Sequence, residues 1–135
     1  MANALYDKGR EGILDGSIAF IADNIKAVLV DTAAYAVNLA THANLSDIAA
    51  GARISTSANL ASKTATGGVA DAADPTFTSV TGATVEAVIL YKDTGTASTS
   101  RLLAYIDTGT GLPVTPNGGD ITVQFASTAN KIFKL

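Results

Sequence analysis

Two runs of β-forming residues in the C-terminal third, Val85 to Tyr91 and Leu102 to Ile106, each lead into the same short phrase. It reads Tyr91-Lys92-Asp93-Thr94-Gly95-Thr96 in the first copy and Tyr105-Ile106-Asp107-Thr108-Gly109-Thr110 in the second. Valine, isoleucine and tyrosine favour extended backbone. The phrase that follows ends a strand, because Asp and Thr side chains bond nearby amides and Gly takes positive φ without strain. Strands closed by such turns at short spacing predict an antiparallel fold.

Asp-Thr-Gly after apolar residues is also the active-site signature of aspartic proteases. That chemistry needs two carboxylates within hydrogen-bond distance sharing one proton. The two copies stand fourteen positions apart (91 to 105), one strand plus a turn, too close for two symmetric lobes. A dimeric enzyme with one copy per chain needs a long folded segment after its Asp, and only Thr110 to Leu135 follows the second. Before the first, Lys92 stands where an apolar residue belongs. Turn chemistry explains both copies, and no catalytic residue is expected; the peptidase remains the remote alternative.

The other elements follow from pattern. A short helix is expected in the first sixteen residues, over Ala4 to Leu14, capped by Asn3 and stopped by Gly16. Leu5, Gly9 and Ile13, and Tyr6, Arg10 and Leu14, fall at helical spacing. Gly9 and Gly12 weaken it by about 1 kcal/mol each relative to Ala. Ile25 to Val30 reads as a buried strand closed by Asp31-Thr32. A short helix or turn over Leu45, Ile48 and Ala52, capped by Asn44 or Ser46, lies in the ambiguous stretch Tyr35 to Ile54. Thr76 to Val80 has the alternation of an exposed or edge strand, and Pro75 suits its start. In the strand after Val85, one face holds Val85, Ala87, Ile89 and Tyr91 and the other Glu86, Val88, Leu90 and Lys92. Gly109 to Gly119 is a long turn. Ile121, Val123 and Phe125 alternate against Thr122 and Gln124, predicting one wet face. Lys131 to Leu135 is expected to pair with that strand across Ser127 to Asn130. The fold class is therefore mainly β: a single antiparallel β-sandwich or barrel-like domain (18–135) with a short N-terminal helix (1–16).

Composition narrows the function. At 135 residues the chain has the size of one domain. Only 16% of residues are charged and 6% aromatic, without Trp, so small residues dominate. A surface so poor in charge suggests cover by a partner. The net charge is −3 and the nine basic residues are scattered, so direct nucleic-acid binding is not expected. There is no Cys, hence no thiolate zinc site and no thiol nucleophile. The first sixteen residues carry Asp7, Lys8, Arg10, Glu11 and Asp15, unlike a signal peptide. No apolar run approaches the length of a membrane span.

Other chemistries find little support. His42 is the single histidine, and no Gly-x-Ser-x-Gly elbow accompanies it. Asp31, Asp71, Asp74, Asp93, Asp107 and Asp120 could offer oxygen to a cation, but they form no EF-hand loop, and Asp is favoured wherever strands turn. Gly118-Gly119 lacks the Lys-Ser/Thr of a phosphate loop. No cofactor or metal is expected.

Four stretches carry a resemblance. Ala4-Leu5-Tyr6-Asp7-Lys8-Gly9-Arg10-Glu11, Ile25-Lys26-Ala27-Val28-Leu29-Val30-Asp31-Thr32, Asn38-Leu39-Ala40-Thr41-His42 and Leu112-Pro113-Val114-Thr115-Pro116-Asn117-Gly118-Gly119-Asp120-Ile121 together resemble small virion structural proteins of tailed bacteriophages, over nearly the whole chain. The resemblance implies a virion component made in the host cytoplasm. One role is a capsid decoration (cement) protein, which binds the major capsid protein and itself, often as a trimer. The other is a tail, neck or fibre-associated protein. The size, low charge and single domain suit cement, since a receptor-binding module would carry more aromatic residues. Contacts are expected at the two ends of the chain: Leu5 and Tyr6, and Ile132, Phe133 and Leu135. The competing reading of the C-terminal segment is a strand completing the protein's own sheet, or one added to a partner's.

Overall fold

In a computed structural model, residues 4–125 and 131–134 are described. The centre is a five-stranded sheet built from β1 (Ala4–Leu5), β2 (Ile25–Val30), β3 (Arg53–Thr56), β6 (Ala87–Lys92) and β7 (Leu102–Ile106). Its strand order is β1-β7-β6-β2-β3, and every pairing is antiparallel. Strands β1 and β3 are its edges, so the sheet does not close into a barrel among the described residues.

The near-continuous apolar runs of β2, β6 and β7 reflect burial on both faces. One face, with Ala27 and Leu29 of β2 and Val88 and Leu90 of β6, joins Leu60, Phe77, Val80, Val123 and Ile132 in a single core. The opposite face, with Val28, Val30, Ala87, Ile89 and Tyr91, packs on Tyr6, Tyr35, Leu45, Ile48 and Ala52. The predicted alternation in β6 holds from Ala87 onward. Val85 precedes the strand and joins the other core.

No continuous second sheet is seen among the described residues. The first face is covered by two short ladders, β4 (Val69–Ala70) with β9 (Phe133–Lys134) and β5 (Thr76–Phe77) with β8 (Ile121–Thr122). The expected pairing of the C-terminal segment with the Ile121 strand is thereby corrected: Phe133 faces Ala70, and Ile121 faces Phe77. Ser127 to Asn130 lie outside the described residues. Ile121, Val123 and Phe125 are buried and Thr122 and Gln124 exposed, as the alternation requires. Leu45, Ile48 and Ala52 are also buried, carried on two 3₁₀ turns, Leu45–Asp47 and Ala50–Ala52. Asn44 caps the first turn in a reciprocal capping box with Asp47.

The N-terminal helix begins later than expected. Ala4 and Leu5 pair with Tyr105 and Ala104, and α1 runs from Asp7 to Asp15 behind Tyr6. Asn3 lies outside the described residues. Gly16 ends the helix in the left-handed region at φ 83°. The register between β6 and β7 slips at Leu90/Tyr91, leaving Leu103 as a bulge residue. Its carbonyl accepts the Tyr6 N–H at 3.0 Å. Gly9 rests directly on the bulge: a Cβ there would meet the Leu103 oxygen at 2.8 Å and the Leu102 oxygen at 2.9 Å. The Arg101 guanidinium donates to the Lys8 carbonyl at 3.0 Å. The glycine that costs the helix propensity is what lets the helix lie on the sheet.

Gly9→Ala is therefore expected to destabilise by about 1–3 kcal/mol, as overpacking does, although helix propensity alone predicts a gain of about 1 kcal/mol. Gly51→Ala, where a Cβ meets nothing within 4 Å, is the control, expected within about 0.5 kcal/mol of the parent. Urea denaturation of the two variants decides; a stabilised Gly9→Ala refutes the close approach.

Candidate functional site

The sharp stop at Gly16 positions the most distinctive surface of the protein. After it the Ile18 N–H returns to the Gly12 carbonyl at 2.9 Å. A Cβ on Gly12 would meet the Ile18 side chain at 2.6 Å, so this second helix glycine makes room for the reversal. The segment 18–22 then runs beside Ile13. Phe20 meets Phe133 of β9 edge to face, centroids 5.8 Å apart, a favoured aromatic geometry. Together Ile13, Ile18, Phe20, Ile21, Ala65 and Phe133 line an open apolar groove of about 350 Å³. Leu14, 88% exposed, and Ile21, 51% exposed, are the large apolar side chains left in solvent among the described residues.

Charge is placed beside this groove. The Lys63 ammonium lies 5.9 Å from the Phe20 ring centroid and donates to the Asp23 carbonyl. Burial pulls it below the ordinary lysine value, with Asp23 opposing. Lys92 pairs with Asp23 at 3.2 Å, and Lys26 with Asp93 at 3.1 Å. Asp23, Asp47 and Asp93 are all held below the usual carboxylate range, chiefly by backbone amides: Ala19, then Asn44 and Ala43, then Gly95. Turn-type N–H donors stabilise the charged form of each.

A second polar feature lies on the other face of the sheet. The Tyr6 hydroxyl, fully buried, is 3.0 Å from the Tyr35 hydroxyl, which is 2.7 Å from His42 Nδ1. The Asn38 N–H also donates to Nδ1, at 3.3 Å. A backbone amide can only donate, so Nδ1 is the lone-pair nitrogen and the ring proton sits on Nε2. Tyr35 then donates to His42, and Tyr6 donates to Tyr35. Desolvation pushes both tyrosines above their ordinary value. The chain of bonds satisfies a hydroxyl in the core and ties the loop 38–42 to the sheet.

The expected contact residues separate on inspection. Leu5, Tyr6 and Ile132 are buried in the protein's own core, and Phe133 is half-buried in the groove wall. Leu135 lies outside the described residues. The two Asp-Thr-Gly copies are not brought together. By the register of β6 with β7, Asp107 falls opposite position 87 while Asp93 follows β6 at its far end. Six residues of strand, roughly 20 Å at about 3.3 Å each, separate them. In the first copy the Gly95 N–H bonds Asp93 Oδ1 at 3.1 Å, and Gly95 takes φ 85°, as turn chemistry predicts. The second copy differs. Gly109 does not have positive φ; a Cβ there would meet Val123 Cγ1 at 2.8 Å, so its glycine serves close packing.

The other aspartates also act at turns. Asp31 accepts from the Ala33 N–H, Asp74 from the Phe125 N–H and Asp120 from the Ser79 N–H. Among the described residues no three of His, Asp or Glu gather to hold a metal ion, and no helix is long and apolar enough to cross a membrane. Sequence reasoning missed Leu14 and Ile21. The signals were an apolar residue in the last helical turn before a glycine stop, and an apolar run, Ile18 to Ala22, with neither helical nor alternating period. No family model and no curated protein matches this chain.

Tyr35→Phe leaves the Tyr6 hydroxyl buried without its partner and is expected to cost about 1–3 kcal/mol. Adding Tyr6→Phe should cost less in that background than in the parent, a coupling that a double-mutant denaturation cycle reads directly. The three aspartates set a pH dependence. Their folded-state values lie below the unfolded one, so their contribution is present above about pH 4 and lost as pH falls through the folded values. The urea midpoint is expected to hold from about pH 6 to about pH 4 and to fall as the pH drops below about 4, through the folded values. A midpoint that does not fall below about pH 4 refutes the assignment.

Proposed function

We propose that this chain is a non-enzymatic structural protein of a tailed-phage particle, a decoration protein that binds the outer surface of the head shell and associates with copies of itself. The observation that carries this reading is the apolar surface around the groove. Among the described residues the other large apolar side chains are buried or half-buried, yet Leu14 and Ile21 stand in water beside an open apolar channel. Such a surface marks an interaction site. The resemblance of four stretches of sequence to small phage virion proteins supplies the setting. On this reading the two short ladders over the first face serve as the reduced second layer of a sandwich, and the particle is where the protein resides.

A shell presents one site many times, so modest contacts suffice when copies are linked. Adding purified protein to empty heads that lack it is expected to give saturable co-sedimentation. Binding to tails or necks would move the protein to that part of the particle, and binding to neither would overturn the proposal.

A further inference from the structure

We infer that Asn117-Gly118 is a site of spontaneous backbone modification, a deamidation and isomerisation site that the fold keeps closed while the 117–120 turn stays bonded to Val80.

The sequence places an asparagine directly before a glycine once, at this position. Reaction there needs no enzyme. The Gly118 nitrogen gives up its proton and attacks the Asn117 side-chain carbonyl carbon, ammonia leaves, and a cyclic imide remains. Water then opens the imide at either carbonyl, giving aspartate at one and a β-linked isoaspartate at the other. Glycine favours the ring closure because no Cβ hinders the approach. Asn117, Gly118 and Gly119 are all exposed, so water reaches the site.

Both reacting groups are held in the folded chain. The Gly118 N–H donates to the Val80 carbonyl at 2.8 Å, so the proton that must leave is engaged. Asn117 Oδ1 accepts from the Gly119 N–H at 3.0 Å, the side-chain bond that asparagine makes at turns. Two further bonds lock the same turn. The Val80 N–H donates to the Gly119 carbonyl at 3.0 Å, and the Ser79 N–H to the Asp120 carboxylate at 3.0 Å. Val80 is buried, which ties this clamp to the core. Gly118 must leave Val80 before its nitrogen can turn onto the Asn117 side chain, so the chemistry runs through a local opening.

Modification would undo the clamp that delays it. Val114 and Val85 exchange hydrogen bonds at 2.8 and 2.9 Å, so the span from 114 to 118 is pinned at both ends. Isoaspartate inserts an extra main-chain carbon into that span. The Val80 clamp, next to the pairing of Phe77 with Ile121, is what must give. Refolding does not reverse the change.

The test incubates the parent chain, folded and guanidinium-unfolded, at the same mildly alkaline pH. Peptide mapping by mass spectrometry follows acid and isoaspartate formation at Asn117, and nuclear magnetic resonance follows exchange of the Gly118 N–H. The unfolded chain is expected to convert at Asn117, and the folded chain to do so more slowly by about tenfold or more, as a reaction waiting on local opening does. Asp120→Ala removes the bond to Ser79 at an exposed position. Once circular dichroism shows it folded, it is expected to raise Gly118 exchange and Asn117 conversion by the same factor. Asp120→Asn, which keeps an acceptor oxygen, should fall between it and the parent. A folded parent that converts as fast as the unfolded chain overturns the proposal. So does an unfolded chain that leaves Asn117 intact, or an Asp120 variant in which exchange rises and conversion does not.

Discussion

Burial of the central strands on both faces is the constraint from which the rest of the structure follows. Strands β2, β6 and β7 carry apolar residues above and below, and none of these can be left to water without loss of about 25 cal/mol for each Å² exposed. Two covers are therefore required. Among the described residues there is one short α-helix, and the chain has few large side chains from which to make them. It uses 3₁₀ turns and the 31–52 loops on one side and two-residue ladders on the other. Irregular covers bring backbone and hydroxyl groups close to the core, and these need partners. The Tyr6–Tyr35–His42 chain and the aspartates bound to turn amides meet that need.

Irregular cover also explains where the apolar surface is left open. Helix α1 reaches the sheet through glycine and lies too close to add side-chain bulk there. Beyond Gly16 the chain turns back, and Ile13 is left half-buried beside the reversal. The gap between that reversal and β9 is the groove. It is a product of the same close approach that anchors the helix, so anchoring and exposure cannot be tuned separately.

Much of the sheet was legible in the sequence, because β2, β6 and β7 are long enough for composition and alternation to speak. The bounds of β2 were read at Ile25 and Val30, and the stop at Gly16 and the Asp93 turn followed from side-chain chemistry. What was not legible has physical reasons. A two-residue ladder such as Val69–Ala70 with Phe133–Lys134 has no period to detect, and its partners are set by the whole fold. Gly9 and Gly12 look like defects when a helix is judged alone; their value lies in Leu103 and Ile18, one of them nearly a hundred positions away. The groove is assembled from segments near 13, 20, 65 and 133, none of which announces the others. Leu5, Tyr6 and Ile132 are apolar near the chain's ends, as a contact surface could be, yet the core claims them.

The docking of α1 on β7 has a consequence in time. Lys8 and Arg101, which bond across that junction, are separated by 93 positions. At synthesis rates of about 5–20 residues per second, the helix waits roughly 5–20 s for its platform to be made. A nine-residue helix containing two glycines does not hold its shape alone for that interval. During this wait Ile13, Leu14 and Phe20 form a mobile apolar segment on the nascent chain. The last strands to emerge thus turn a loose apolar segment into a shaped groove, which exists only when folding is nearly complete.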